Sequence, residues 1–500
     1  MSQVELDPKR WTALALVGAA FFMTVLDVSI VNVALPTIQT KLDFSDANLQ
    51  WVITAYAITY GSLLLLGGRA ADLVGRRTVF LGGLTLFTVA SLLCGLAQND
   101  VMLILVRGVQ GAGAAFVAPA ALAIVGVTFP EGAERNKALG IFGAIAGGGA
   151  AAGVLLGGVL TSYLGWEWIF WVNVPVGVLV FLLTPRYVRE SRLELGHRAY
   201  DPWGAVTITT SLILLVYAIS EAPTKGWGSG QTIGCLIGSG VLLVAFLVIE
   251  SRGRQPLMRL GIFRVGTVSG ANVVGFLLGA SLFSMFFLLT LYMQTVLHYS
   301  AIKAGLAFLA TAGTAVLAAG AAQALVSRIG VRWVTAIGMA LMAAGLFLYT
   351  QLPVDGSFVS DLLLGYVLTG IGIGFAFVPV SIAALGGVSP DEQGLASGLL
   401  NTSQQVGGAI GVAVVATIFA ERANNVLDTL HAHITYSFQP DDLAFAFTSG
   451  YKLAFWVAAF TAVAGTLAAI AMIRGPVLAP DEDAGVQSAP VGAPGGSASG

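Results

Sequence analysis

The chain has 500 residues, of which 56% are hydrophobic and only 10% are charged, against roughly 25% charged residues in an ordinary soluble protein. Its mean hydropathy is +0.85. So few charges cannot cover a water-soluble surface, and the composition predicts a polytopic membrane protein in which only the loops meet water. The net charge of −2 argues against nucleic acid as a partner.

Apolar stretches long enough to cross ~30 Å of hydrocarbon as helices recur along the whole chain. We predict an all-α polytopic membrane protein with 14 transmembrane helices. The predicted spans are residues 11–34, 50–69, 78–97, 101–126, 138–162, 167–185, 203–220, 232–250, 267–292, 303–326, 333–352, 360–386, 396–420 and 450–473.

The distribution of Lys and Arg tests the orientation of these spans, because positive residues are retained in cytoplasmic loops. With the amino terminus inside, 18 of the 24 fall on the cytoplasmic side and one, Arg107, falls within a span. This asymmetry supports the number of spans and predicts that both termini are cytoplasmic. The remaining five lie outside: Lys41, Lys225, Lys303, Arg422 and Lys452.

An internal repeat divides the chain. RGVQGAGAAFVAP (107–119) is echoed by TGIGIGFAFVP (369–379), and GGRAADLVGRR (67–77) is echoed weakly by AQALVSRIGVR (322–332). The order of these echoes favours a duplication over chance similarity between Gly-rich helices, and parallel halves place a substrate cavity between them. The predicted regions are a cytoplasmic amino terminus (1–10), an N-terminal six-helix half (11–190), two additional helices (203–250), a C-terminal six-helix half (267–473) and a disordered cytoplasmic tail (476–500).

Two charges lie inside spans. Among 26 acidic residues, Asp27 alone is well inside an apolar stretch, and Arg107 is the one comparably placed base. A carboxylate inside a membrane helix costs about 2.5–3.5 kcal/mol on insertion scales, which makes it a functional candidate. At 1.5 Å per residue both lie about 10 Å below the outer face. We predict that they form a proton-coupling pair; the alternative is a static ion pair that only holds helices together.

The loop 67–77 joins two predicted spans on the cytoplasmic side. Gly68 and Gly75 permit a tight turn, and Asp72 can accept hydrogen bonds from a helix N-terminus or from Arg76 and Arg77. We predict a conformational gate that latches one half to the other. The alternative is a solvated loop whose arginines only set the topology.

The fifth predicted span carries small residues at helical spacing. This pattern predicts a face for close helix packing, and the functional interpretation adds that two helices slide or bend there during alternating access. The glycines are Gly140, Gly149, Gly153, Gly157 and Gly158.

These motifs resemble those of the major facilitator superfamily, and within it the fourteen-helix drug:proton antiporter branch of EmrB/QacA-like multidrug exporters. LDVSIVNVALP (26–36) is similar to the first-helix signature of that branch, and GGRAADLVGRR to the loop motif of the superfamily, with Leu73 where a basic residue is common. LVRGVQGAGAA (105–115) resembles the fourth-helix motif, whose arginine, here Arg107, is associated in the family with proton coupling.

The fifth-span glycines resemble the antiporter motif of the branch. The stretch WEWIFWVNVPVG (166–177), which comes next in the chain, is also typical of the branch, although Val154 stands where the family has Pro. Some relatives carry acids in later helices, where this chain has neutral Asn401, Gln404 and Gln405. This difference speaks against export of polyvalent cations.

The resemblance implies a proton-coupled exporter of amphiphilic drugs or related organic compounds, which works by alternating access in a bacterial cytoplasmic membrane. It implies a monomer among membrane lipids, with protons and an amphiphilic small molecule as partners and no cofactor beyond the proton gradient. An enzyme is disfavoured because no nucleophile, base and orienting group cluster at a membrane face. The alternatives are a dedicated exporter of one metabolite, lipid or self-made antibiotic, and a non-transporting membrane receptor with the same fold.

Substrate contacts are predicted from polarity and aromatic character near span interiors, with ordinary core packing as the alternative for each. We expect no metal site, since the His431 and His433 pair lacks further clustered ligands. The predicted substrate contacts are Tyr56, Phe286, Tyr292, Asn401 and Gln405.

Overall fold

The computed structural model describes residues 8–129, 133–191, 202–253, 260–264, 266–386, 388, 393–433 and 440–473. The predicted tail 476–500 and residues 1–7 of the predicted amino-terminal region lie outside the described residues. The described α-helices are α1 Arg10–Leu42, α2 Asp46–Leu49, α3 Trp51–Val74, α4 Arg76–Cys94, α5 Asp100–Thr128, α6 Ala133–Tyr163, α7 Trp168–Trp171, α8 Asn173–Tyr187, α9 Pro202–Lys225, α10 Gly230–Arg252, α11 Gly266–Leu291, α12 Ala301–Leu348, α13 Leu363–Leu385, α14 Gln393–His433 and α15 Pro440–Met472.

The described part of the chain has 12 helices that are long and apolar enough to cross a membrane. Large apolar side chains on them point away from the protein; Leu105 is 65% exposed and Leu317 is 78% exposed. Contiguous apolar surface of this kind suits contact with lipid. The prediction of an all-helical, multi-pass membrane protein is confirmed.

The 12 spans shown are fewer than the 14 predicted. The predicted span 303–326 and most of the predicted span 333–352 lie in α12, on the two sides of a kink at the non-helical residue Gly330 (φ 82°, ψ 159°). The predicted span 138–162 lies in α6, where several side chains lie outside the described residues. Of this helix, the described apolar stretch is Ala152–Tyr163, which is shorter than a membrane span.

The long helices pack in two groups. In the N-terminal group α1 packs against α6, and α5 against α3 and α4; in the C-terminal group α11 packs against α14 and α15, and α12 against α13. Each group contains a mutual contact between two glycines on neighbouring helices. A Cβ atom on Gly113 would lie 3.0 Å from the Gly83 carbonyl oxygen, and one on Gly372 would lie 2.7 Å from that of Gly338. Side chains of any size would push these helices apart.

Helix α9 lies against both groups. The Gln50 amide donates to the Ser220 hydroxyl at 2.7 Å, and the Thr417 hydroxyl donates to the Ile219 carbonyl at 3.1 Å. Helix α10 packs on the outside of α9, where Ser211 donates to the Ser239 carbonyl at 2.8 Å. The α9–α10 pair therefore covers the seam between α3 and α14.

The two groups also touch directly. We call the end of the bundle at which α1 begins the proximal face, and the end at which α1 finishes the distal face. Near the distal face, a Cβ atom on Gly158 of α6 would lie 2.7 Å from the Ile302 Cα atom of α12. At the seam between α3 and α14, a Cβ atom on Gly61 of α3 would lie 2.9 Å from the Gln405 Cβ atom of α14.

Candidate functional site

The two charges predicted to pair do meet inside the N-terminal group. Arg107 Nη1 donates to Asp27 Oδ2 at 2.5 Å. Asp27 is 0% exposed and Arg107 is 1% exposed, so neither charge reaches water. Removing either partner alone would leave an uncompensated buried charge.

Arg107 is held on several further sides. Its Nε donates to the Val52 carbonyl at 2.9 Å, and its Nη1 donates to Gln110 Oε1 at 2.7 Å. The guanidinium carbon lies 4.4 Å from the ring centroid of Tyr56 and 5.7 Å from that of Phe170. Aromatic ring faces attract a cation, most strongly when it is desolvated. These contacts fix Arg107 in one orientation toward Asp27.

The second oxygen of Asp27 accepts two amide hydrogen bonds. Gln110 Nε2 donates to Asp27 Oδ1 at 2.7 Å, and Asn173 Nδ2 donates to the same oxygen at 3.1 Å. Both amides also donate to the Ser91 hydroxyl, at 2.8 Å and 3.0 Å. The Cys94 thiol lies 3.6 Å from Gln110 Oε1. Both carboxylate oxygens of Asp27 are therefore engaged, Oδ2 by one donor and Oδ1 by two.

Sequence reasoning missed the neutral members of this network. Gln110 lies inside the fourth-helix motif that contains Arg107, and Asn173 lies inside the WEWIFWVNVPVG stretch. Ser91 lies on α4 and is fully buried. The available signal was a polar side chain in an apolar span, which by itself does not distinguish a site from helix packing.

Three glycines of α6 seat the part of α1 that carries Asp27. A Cβ atom would lie 3.2 Å from the Phe22 carbonyl oxygen at Gly149, 2.7 Å from that of Leu26 at Gly153 and 2.8 Å from that of Ile30 at Gly157. Gly158 faces α12 instead, and the surroundings of Gly140 lie outside the described residues. The glycine face thus brings the backbone of α6 directly against α1.

The loop between α3 and α4 is closed by a carboxylate that the sequence analysis did not select. Glu190 accepts hydrogen bonds from the backbone N–H groups of Arg77 and Thr78, each at 3.0 Å, and from the Thr78 hydroxyl at 2.6 Å. It therefore caps the N-terminus of α4, where a negative charge is favoured. Partial burial opposes ionisation of Glu190, but the hydrogen bonds outweigh it and hold the pKa of its carboxyl below the usual value.

The predicted gate residues lie at this junction. Gly75 has φ 133°, and a Cβ atom there would lie 2.7 Å from Glu190 Cδ. Gly68 packs near Pro119 on α5, where a Cβ atom would lie 3.7 Å from Pro119 Cβ. The side chain of Asp72 lies outside the described residues.

The arginines of this loop contact the segment after α8. The Arg76 N–H donates to the Ser191 carbonyl at 2.9 Å, and Arg77 Nη1 donates to the Val188 carbonyl at 3.3 Å. These contacts tie the loop to its own group of helices.

The five predicted substrate contacts do not form one cluster. Tyr56 is buried beneath Arg107, and Tyr292 is buried with its hydroxyl donating to the Pro353 carbonyl at 2.5 Å. Neither side chain lines an open cavity in this conformation, and core packing describes both. Phe286 packs against Phe308 with ring centroids 4.9 Å apart.

The two amides of that set lie on α14. Asn401 is exposed and donates to the Ser397 carbonyl at 3.1 Å, whereas Gln405 is partly buried against Gly61. Within the described ranges no group of three or more His, Cys, Asp or Glu side chains is placed to hold a metal. The side chains of His431 and His433 lie outside the described residues.

A buried ion pair inside a bundle of membrane helices is typical of membrane transporters. The profile of the Major Facilitator Superfamily matches residues 17–412 and, in a second match, residues 271–495. The chain belongs to this superfamily.

Its relatives include proteins named for resistance and export. The chain is 41% identical over 415 residues to the puromycin resistance protein pur8 of Streptomyces alboniger, and the match covers 82% of each chain. It is 41% identical over 411 residues to the cephamycin export protein CmcT of Amycolatopsis lactamdurans, with coverage of 81% and 84%. It is 36% identical over 403 residues to the multidrug resistance protein Stp of Mycobacterium tuberculosis (strain CDC 1551 / Oshkosh), with coverage of 81% and 74%.

The fold also matches solved transporters. A bacterial homolog of the human lysosomal transporter Spinster, in an inward-facing and unoccupied conformation, superposes with a TM-score of 0.67 at 16% identity, covering 93% of this chain and 97% of that one. Together the family and these relatives point to a transporter and not to an enzyme.

Proposed function

We propose that this protein is a proton-coupled antiporter that exports amphiphilic organic compounds, antibiotics among them, by alternating access. The observation that carries the proposal is the fully buried pair of Asp27 and Arg107 with its amide partners Gln110 and Asn173. A non-transporting receptor or scaffold has no need of buried charges, which are costly to place inside a membrane.

The pair supplies a simple coupling step. Ionised Asp27 attracts Arg107 strongly because little solvent screens them. A proton on Asp27 removes that attraction, so α1 and α5 are free to separate and expose a different face of the site. At Gly149, Gly153 and Gly157, α6 contributes no side chains of its own to the seat of α1.

The topology follows from helix lengths. The 48 residues of α12 lie on both sides of the non-helical Gly330. The two parts, 301–329 and 331–348, extend about 44 Å and about 27 Å at 1.5 Å per residue, against ~30 Å for a hydrocarbon core. We infer that α12 forms two spans that separate at Gly330. One added span from α12 and one from α6 raise the 12 to 14, the number in the EmrB/QacA-like branch.

An even number of spans returns both termini to one side. The excess of Lys and Arg assigns that side, the proximal face, to the cytoplasm. We propose a monomer in a bacterial cytoplasmic membrane, driven by the proton gradient without another cofactor. The distal face then meets the outside, where protons enter the cycle.

A dedicated exporter of one antibiotic is the second candidate. It is favoured by relatives that are named for single compounds, puromycin and cephamycin. The two candidates differ only in breadth, so one panel of compounds separates them.

The test uses purified protein in liposomes that enclose a pH-sensitive dye. Puromycin, a cephamycin, lincomycin and a lipophilic cation are added singly under an imposed pH gradient. We expect substrate-dependent proton movement in the native protein and its loss in Asp27→Asn, because the amide cannot take up a proton. Response to one compound alone would favour the dedicated exporter.

The matched control is Asp43→Asn at the end of the same helix. Asp43 is exposed and adopts a left-handed conformation at φ 54°, which Asn tolerates well. It should retain full proton movement. Binding of a compound without proton movement in the native protein, or coupling that persists in Asp27→Asn, would overturn the proposal.

A further inference from the structure

Near the distal face, a side chain of the C-terminal group donates a hydrogen bond to the backbone of the N-terminal group. Gln294 Nε2 donates to the backbone carbonyl of Val33 at 2.8 Å, across 261 residues of sequence. Gln294 lies in the π-helical segment Tyr292–Val296 at the end of α11. Single π-helical turns in long helices often mark functional positions.

The acceptor lies in a turn of α1 that a proline has loosened. Pro36 lies inside α1 and has no N–H, so the carbonyl of Asn32 lacks its helical donor and the ring crowds that turn. The Val33 carbonyl in the same turn carries two lone pairs and can accept a bond from outside the helix. Val33 is 0% exposed, so water does not replace this contact.

The same stretch of α1 is tied to the proton site. Val33 lies less than two helical turns after Asp27, and a Cβ atom on Gly157 of α6 would lie 2.8 Å from the Ile30 carbonyl oxygen and 3.3 Å from Val33 Cβ. A shift of α1 upon protonation of Asp27 therefore moves the Val33 carbonyl as well.

The donor, in contrast, is presented by a fixed support. Tyr292 donates to the Pro353 carbonyl at 2.5 Å, and the hydroxyls of Thr295 and Tyr451 lie 3.0 Å apart within hydrogen-bonding distance. The Tyr292 and Tyr451 rings meet edge to face, with centroids 5.9 Å apart. These contacts hold the segment on both sides of Gln294.

We propose that Gln294 is a positioning residue that keeps the distal face closed by holding α1 at Val33, and that it releases α1 when Asp27 takes up a proton. The direction of this step rests on the proposed function. The holding role of the Gln294–Val33 hydrogen bond does not depend on that direction. It requires only that the two helix groups move apart at the distal face during the cycle.

The test measures that separation in the full-length protein in lipid nanodiscs. Spin labels are placed at the exposed positions Lys41 and Asp355 by Lys41→Cys and Asp355→Cys, with Cys94→Ser and Cys235→Ser in the background. Gln294→Glu is nearly isosteric, but at pH 7.5 its carboxylate accepts hydrogen bonds and does not donate them. We expect the population with the longer distance to rise about fivefold, the change produced by loss of one neutral hydrogen bond.

Two further variants make the outcome specific. Gln294→Leu removes the donor without adding a charge and should shift the distances in the same direction. Gln351→Glu makes the same chemical change at an exposed glutamine that bonds to its neighbour Thr350, and should leave the distances unchanged.

Transport supplies a readout that simple destabilisation would not reproduce. A smaller population open to the proximal side raises the apparent KM for substrate in proportion, while the maximal rate changes less. If the spin-label distances in Gln294→Glu and Gln294→Leu match those of the labelled protein with native Gln294, the proposal that Gln294 holds α1 is overturned. If the distances shift in the Gln294 variants but proton coupling persists in Asp27→Asn, the holding role of Gln294 is retained and the proposed antiport is rejected.

Discussion

At the scale of single residues, the candidate site is defined by neutral side chains as much as by charges. Asp27 and Arg107 supply the ion pair, but Gln110 and Asn173 determine how many hydrogen bonds the carboxylate accepts. Because all of these side chains are buried, none can substitute water for a lost partner. The network should therefore respond strongly to removal of an amide.

Asn173→Ala tests that dependence. The change leaves Asp27 Oδ1 with one donor and Ser91 without one of its partners, and an unsatisfied buried polar group costs about 1–3 kcal/mol. We expect the free energy of unfolding to fall by that amount, measured by denaturant titration in detergent micelles.

The matched change is Asn48→Ala, where the amide donates to Asp100 at 3.4 Å in a partly buried setting. Asn48→Ala should lower the free energy of unfolding by much less. Equal decreases for Asn48→Ala and Asn173→Ala would show that the buried amide of Asn173 contributes no more than an amide in a partly buried contact.

The sequence predicted the ion pair because one acid and one base at similar depth inside apolar spans are rare. It could not select Asn173, which lies 146 residues from Asp27 and is chemically ordinary for a helix end. Glu190 was equally hidden, since it is one of 26 acidic residues. Only the three-dimensional path of the chain shows which of these carboxylates reaches the start of α4.

At the scale of elements, the junction of α3, α4 and the segment after α8 depends on one carboxylate. Glu190 caps α4 through two backbone N–H groups and a hydroxyl. Because its pKa is lower in the folded protein than in an unfolded chain, the cap adds stability above the ordinary Glu pKa. That stability is lost as the pH falls through the lower, folded-state value.

Glu190→Gln should remove this component of the pH dependence. We expect the native protein to lose thermal stability on acidification below pH of about 4.5, the usual Glu value, and the variant to lose less over the same interval. Melting temperatures from intrinsic fluorescence at several pH values measure the difference. Glu421→Gln, at an exposed position of α14, should follow the native curve; parallel curves for all three proteins would contradict the assigned cap.

At the scale of the whole molecule, apolar length and the ordered motif echoes were enough to predict a helical membrane bundle. The number of spans is harder to obtain from the structure, because the two helical parts of α12 meet at the single non-helical residue Gly330. The positive φ of Gly330 is the feature that permits the change of direction, and an L-residue rarely adopts it.

Gly330→Ala should destabilise the protein by about 1–2 kcal/mol, because a Cβ atom strains a left-handed backbone. Gly320→Ala is the control in the same helix, where a Cβ atom would meet open space. It should be neutral or stabilise by up to ~1 kcal/mol, since Ala favours a helix over Gly. Denaturant titrations that show the same sign for both variants would argue that α12 does not turn at Gly330.

The position of Cys94 offers a chemical reporter within the native sequence. Its thiol is fully buried beside Gln110, whereas Cys235 on α10 is partly exposed. A maleimide reacts only with a thiol that it can reach, so the rate of Cys94 alkylation relative to Cys235 reports the opening of the core around Asp27. Mass spectrometry of the labelled peptides can thus follow access to the candidate site without any substitution in the chain.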